Sequence, residues 1–134
     1  MDASVNRIIP SLDERALLVA LRLNGAPAEE IEYSLEELKM LVITAGGVVV
    51  DSIVIRRDAL DPSTIVGKGQ LERILLMAGT ARTKLIVFDL NNIKPAQVRN
   101  LEDHLKCRVI GRTEVILDIF AKRARSSESR TEER

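Results

Sequence analysis

At 134 residues, 46% hydrophobic and 30% charged, the chain has the balance of one globular domain with a sizeable core, not that of a disordered or fibrous protein. Aromatics at 2% exclude a stacking platform for single-stranded nucleic acid, and a formal net charge of zero excludes a global field that attracts polyanions. A single cysteine, Cys107, rules out an internal disulfide and a Cys-cluster zinc site. No apolar run approaches the length of a membrane span and no signal peptide is visible, so the expected compartment is the cytoplasm.

Residues 1–14, with Pro10, lack periodicity and read as a lead-in. The run Arg15–Leu23 (RALLVALRL) is near-continuously apolar, as in a strand buried on both faces, and ends in Asn24-Gly25 and Pro27 turn chemistry. Ser34-Leu35-Glu36-Glu37 matches a capping box, in which the Ser hydroxyl and the Glu carboxylate satisfy each other's backbone amides at a helix start. Leu35, Leu38, Leu41 and Val42 follow at helical spacing until Gly46-Gly47. The β-branched run Val48–Ile55 predicts a second strand. Leu71, Ile74, Leu75 and Ala78 predict a second helix closed by Gly79, and Lys84–Leu90 a third strand. Pro95 opens a third helix carrying Val98, Leu101 and Leu105, and Cys107–Ile110 makes a fourth strand, with Cys107 as a small buried hydrophobe. A fourth helix runs from near Thr113 to at least Arg125, with Val115, Ile116, Ile119 and Phe120 as its buried stripe. The tail 126–134 has no apolar residue and is expected to fray. Strands alternating with helices, the strands apolar on both faces, define an α/β domain over residues 15–125: a mainly parallel four-stranded sheet with helices on both faces.

In such a sheet, ligands bind beyond the carboxyl ends of the strands. Those ends carry Asn24-Gly25, Arg56-Arg57-Asp58, Asp89 and Gly111-Arg112, and the Gly67-Lys68-Gly69 helix start faces the same edge. Helix dipoles and free amides there favour anions, so Arg56, Arg57, Gly67, Lys68, Gly69, Asp89 and Arg112 form a candidate site for the phosphates of RNA or of a nucleotide. The competing reading pairs Arg56 and Arg57 with Asp58 and Asp61. Asp61-Pro62-Ser63 reads as turn chemistry rather than half of a metal pair, Asp89 as a cap or orienter, and His104 as a surface residue. Known phosphate motifs fail. Pro62 stands where the first Gly of a P-loop belongs, and Gly69, not Ser or Thr, follows Lys68. No G-x-G-x-x-G, G-x-S-x-G or H-E-x-x-H occurs, so no catalytic or metal-binding residue is assigned.

Three blocks taken together are specific: Arg56–Leu71 (RRDALDPSTIVGKGQL), Val87–Leu101 (VFDLNNIKPAQVRNL) and Val109–Arg125 (VIGRTEVILDIFAKRAR). From Arg15 to Arg125 the chain resembles the amino-terminal domain of the HflX family of ribosome-associated GTPases. The resemblance implies an α/β domain followed, in the family, by a helical hairpin and a G domain with the P-loop. It also implies association with the large ribosomal subunit, and it links ATP binding and RNA remodelling to the amino-terminal part. GTP and Mg²⁺ belong to the G domain, which these 134 residues lack, so no GTP hydrolysis is expected of them. Two departures stand out: Gly111 occupies a position where the family often has Asp, and the tail lacks the apolar helix with which the family continues. The start at Met1 and the polar end favour a naturally short protein over a cut piece. The leading expectation is a non-enzymatic module docking on ribosomal RNA through the basic edge. The rival is an ATP-binding domain holding phosphates at Gly67-Lys68-Gly69. A blander reading is a regulatory or oligomerising domain that finds its partner through Leu117 and Phe120 on the last helix.

Overall fold

The computed structural model describes the backbone of residues 15–132 and the side-chain surroundings of residues 15–125; the lead-in expected at residues 1–14 lies outside the described residues. Strands and helices alternate as β1 (Arg15–Leu23), α1 (Ala28–Thr44), β2 (Val48–Arg57), α2 (Lys68–Ala81), β3 (Leu85–Phe88), α3 (Pro95–Leu105), β4 (Arg108–Gly111) and α4 (Arg112–Glu132). The sheet is parallel throughout, in the order β2-β1-β3-β4. No described helix is long and apolar enough to cross a membrane.

The central position of β1 explains its composition. Ala16 through Ala20 are all fully buried, and alternate residues enter two separate cores. Leu17, Val19 and Leu21 join Leu71, Ile74 and Ala78 of α2 and Leu101 and Leu105 of α3 on one face. Ala16, Leu18 and Ala20 meet Leu35, Leu38 and Val42 of α1 and Val115 of α4 on the other. Each buried Leu or Val contributes roughly 1.5–3 kcal/mol of apolar transfer, so aliphatic side chains supply most of both cores, with Phe88 the aromatic member of the first.

The carboxyl edge of the sheet is stepped. β1 and β2 stay paired as far as Leu23↔Arg57, whereas the last partner of β3 on β1 is Val19, opposite Phe88. At this edge α2, α3 and α4 begin alike, each with the third helical residue reaching back to the amide before the helix. Gln70 Oε1 accepts from the Gly67 amide (2.9 Å), Gln97 Oε1 from Lys94 (3.1 Å) and Glu114 Oε1 from Gly111 (2.9 Å).

Four expectations are corrected. The helix expected to start at Ser34 begins at Ala28, because extended Pro27 precedes it and Glu29 and Glu30 suit the positive end of its dipole. Gly79 lies inside α2, not at its end; the helix stops where Arg82 turns left-handed (φ 56°) and its amide returns to the Gly79 carbonyl. Phe120 faces outward at 60% exposure, and the α4 position turned inward carries Asp118 instead, joined to Lys122 (3.1 Å). The polar segment expected to fray continues the α4 backbone to Glu132, since neither Gly nor Pro interrupts it. Gly46 (φ 100°) ends α1 as anticipated, with the Gly47 amide bonded to the Val42 carbonyl.

Candidate anion-binding site

The register of β1 against β2 sets Arg22 beside Arg56 as direct cross-strand partners. Like charges in that relation repel, and neither has an ion-pair partner among the described residues. Arg22 Nε donates to the Ala26 carbonyl (2.9 Å) across the turn made by Gly25 (φ 83°), which leaves its remaining N–H groups for another acceptor. Both arginines line a cavity of about 710 Å³ walled by residues 22–25 and 56–62. Sequence reading missed Arg22. It sits one residue inside the end of β1, and only the register shows that it stands next to Arg56.

Arg57, the next residue of β2, also lines the cavity, and its guanidinium reaches toward the start of α2. Its Nε donates to the Ala59 carbonyl (2.9 Å) and its Nη1 to Gln70 Oε1 (3.3 Å). Gly67 leaves room for this guanidinium: a β-carbon there would lie 2.8 Å from Arg57 Nη1, which would have to shift. Lys68 and Gly69 are exposed on the first turn of α2, and a β-carbon on Gly69 would meet nothing within 4 Å. The Gly67 amide is already bonded to Gln70, and residues 67–69 are not among those that wall the cavity.

The loop between β2 and α2 forms the outer wall. Asp61 and Ile65 exchange both backbone hydrogen bonds (2.9 Å each), closing a turn over Pro62, Ser63 and Thr64. The Asp61 carboxylate accepts from the Ser63 (2.8 Å) and Thr64 (3.1 Å) amides, and those amides, helped by Arg57, hold its pKa below the ordinary aspartate value. Ile65 is fully buried in the left-handed region (φ 69°), a conformation that costs a β-branched residue on the order of 1–3 kcal/mol. Two α3 side chains fasten this loop: Gln97 Nε2 donates to the Asp61 carbonyl (3.4 Å) and Asn100 Nδ2 to that of Ser63 (3.0 Å).

Asp89 and Arg112 form a separate group with α1. Arg112 donates through Nε (3.0 Å) and Nη2 (2.9 Å) to Asp89 Oδ1, through Nη1 to Glu37 (2.8 Å), and through Nη2 to both oxygens of Ser34 (3.0 Å each). Ser34 Oγ in turn donates to Asp89 Oδ2 (2.6 Å). The Arg112 and Asp89 side chains are only 14% and 8% exposed. Burial works against the Arg112 charge, but the bonds and charges of Asp89 and Glu37 outweigh it and raise its pKa above the ordinary arginine value. Every nitrogen of this guanidinium is engaged, so it ties α1, the end of β3 and the start of α4 together. Ser34 and Glu37, three apart on one helical face, serve this network and not a helix cap. Gly111 just before Arg112 leaves no room for a side chain: a β-carbon would lie 2.6 Å from the Leu90 carbonyl oxygen.

Among the described residues no three His, Cys, Asp or Glu side chains converge as metal ligands. His104 is exposed on α3. Cys107 is half-buried against the core, and that burial pushes its thiol pKa up, partly offset by Lys84.

This architecture, an open parallel sheet flanked by helices, has counterparts among known proteins. The family model described as GTP-binding GTPase N-terminal matches residues 32–121. The chain is 41% identical over 122 residues to the GTPase HflX of Lacrimispora saccharolytica, covering 91% of this chain and 28% of that protein. It is likewise 41% identical over 96 residues to the GTPase HflX of Escherichia coli, covering 72% of this chain and 22% of that one. Two crystal structures of SsGBP variants share the fold, with TM-scores of 0.57 and 0.55 at 19% and 21% identity, each covering 81% of this chain. The chain therefore belongs to the family of GTP-binding GTPase amino-terminal domains, specifically those of the HflX type. It spans less than a third of the length of these relatives.

Proposed function

We propose that the chain acts in the cytoplasm as a docking module, engaging phosphates of large-subunit ribosomal RNA through Arg22 and Arg56, with Arg57 behind them. The observation that carries this reading is the Arg22–Arg56 register pair, two adjacent cations without a carboxylate partner at the mouth of a cavity. An incoming anion relieves their repulsion and accepts charge-assisted hydrogen bonds from both. The relatives are named GTPases, but the residues described here carry no P-loop, and the module contributes binding without hydrolysis. With zero net charge and few phosphate contacts, its affinity is weak and strongly salt-dependent. The rival, ATP held at Gly67-Lys68-Gly69, has less support, because the Gly67 amide is already bonded and these residues stand apart from the cavity.

The test is cosedimentation of the full chain with large ribosomal subunits at low salt. Replacing Arg22 and Arg56 together with alanine should abolish it while the chain stays folded. Undiminished cosedimentation of that variant would overturn the reading.

A further inference from the structure

Two cations side by side on neighbouring strands need something other than salt bridges to hold them in place. One side chain, Gln70, reaches the backbone of one arginine and the guanidinium of the next. Gln70 Nε2 donates to the Arg56 carbonyl (3.2 Å), while Gln70 Oε1 accepts from Arg57 Nη1 (3.3 Å) and from the Gly67 amide (2.9 Å). Gly67 keeps this junction open, since its missing β-carbon would sit 2.8 Å from the same Arg57 nitrogen.

We propose that Gln70 is the positioning residue of the anion site, fixing the Arg56 backbone and the Arg57 head at once. This rests on the reading that the site binds RNA phosphate. The chemistry explains why an amide stands here. A glutamate at the third helical position would cap α2 equally well, as Glu114 caps α4. It would, however, lose the donor to the Arg56 carbonyl and form an ion pair with Arg57, cancelling positive charge at the rim of the cavity. The glutamine carbonyl tethers Arg57 without adding a second carboxylate beside that of Asp61. A residue that only caps the helix would be improved by glutamate; a residue that positions cations for an anion would be spoiled by it.

That contrast supplies the experiment. Gln70→Ala, Gln70→Glu and the Arg22→Ala/Arg56→Ala double variant of the full chain are compared with the parent chain in two ways: thermal unfolding, and low-salt fluorescence anisotropy with a labelled RNA hairpin. For stability the expected order is Gln70→Glu at or above the parent, with Gln70→Ala below. For RNA affinity the order is expected to invert, with Gln70→Ala weaker by about three- to tenfold and Gln70→Glu weaker by about tenfold or more, as losing a charge-assisted contact implies. Gln70→Glu binding as tightly as the parent would overturn the positioning role and leave Gln70 as a helix cap. If instead the double arginine variant binds like the parent, the anion-site reading itself fails, and the positioning role fails with it.

Discussion

Two arginine sites stand at the same edge of one sheet in opposite conditions. Arg112 is largely covered, and all its nitrogens face acceptors in Asp89, Glu37 and Ser34. Arg22 and Arg56 lie adjacent, open to a cavity, with no carboxylate bound to either among the described residues. The same functional group is thus structural in one place and available in the other. What separates them is whether the fold itself supplies the counter-charge. Removing a buried cation strands its partner, whereas removing one of two mutually repelling cations relieves strain.

Mutagenesis can break or sharpen this contrast. Arg112→Ala should lower unfolding free energy by about 3–5 kcal/mol in denaturant titrations, because Asp89 is left buried without its cation; a loss under about 1 kcal/mol would show the network to be ornamental. Gly111→Ala should cost about 1–3 kcal/mol, since the new methyl meets the Leu90 carbonyl and the loop after β3 must move. By the same geometry, an aspartate at this position would require a different path for that loop. Arg22→Ala should leave stability within about 0.5 kcal/mol of the parent, or raise it slightly, while weakening RNA binding about tenfold. A marked destabilisation would move Arg22 into the structural class with Arg112. The smallest effect concerns Asp61. Its folded pKa is depressed below the ordinary value of 3.8, so its contribution is complete above that value and disappears as pH falls through the lower folded one. A carboxyl carbon resonance that titrates at the ordinary value would show that the Ser63 and Thr64 amides do not hold it.

The fold was legible because its signals are local. A near-continuous apolar run marked β1, a β-branched run β2, Gly46 a helix end, and Pro95 a helix start, and apolar residues on both faces of β1 called for two layers of helices. The candidate site was legible only in part, because its organising contacts are between elements. The Ser34–Glu37 pattern carries the same spacing whether it caps a helix or offers two side chains to a neighbour, and only the packing of α4 against α1 decides. Asp89 and Arg112 were placed at the correct edge, yet nothing in their own segments shows that the guanidinium is already engaged. Arg22 lay within an apparently finished strand. Its meaning comes from the alignment of β1 with β2, a property of register that neither strand contains alone.

The step in the sheet adds a kinetic consequence. β1 and β2 run four residues past the last β3 pairing, from Val19 to Leu23, which at strand spacing lifts their ends about 13 Å beyond that point. Cations on such a projecting rim act on an approaching polyanion before close contact forms, and rim charges govern encounter more than residence. Charge-removing variants at Arg22 and Arg56 should therefore appear mainly as slower, less salt-sensitive association. Changes to the enclosing 58–66 loop should appear mainly as faster release.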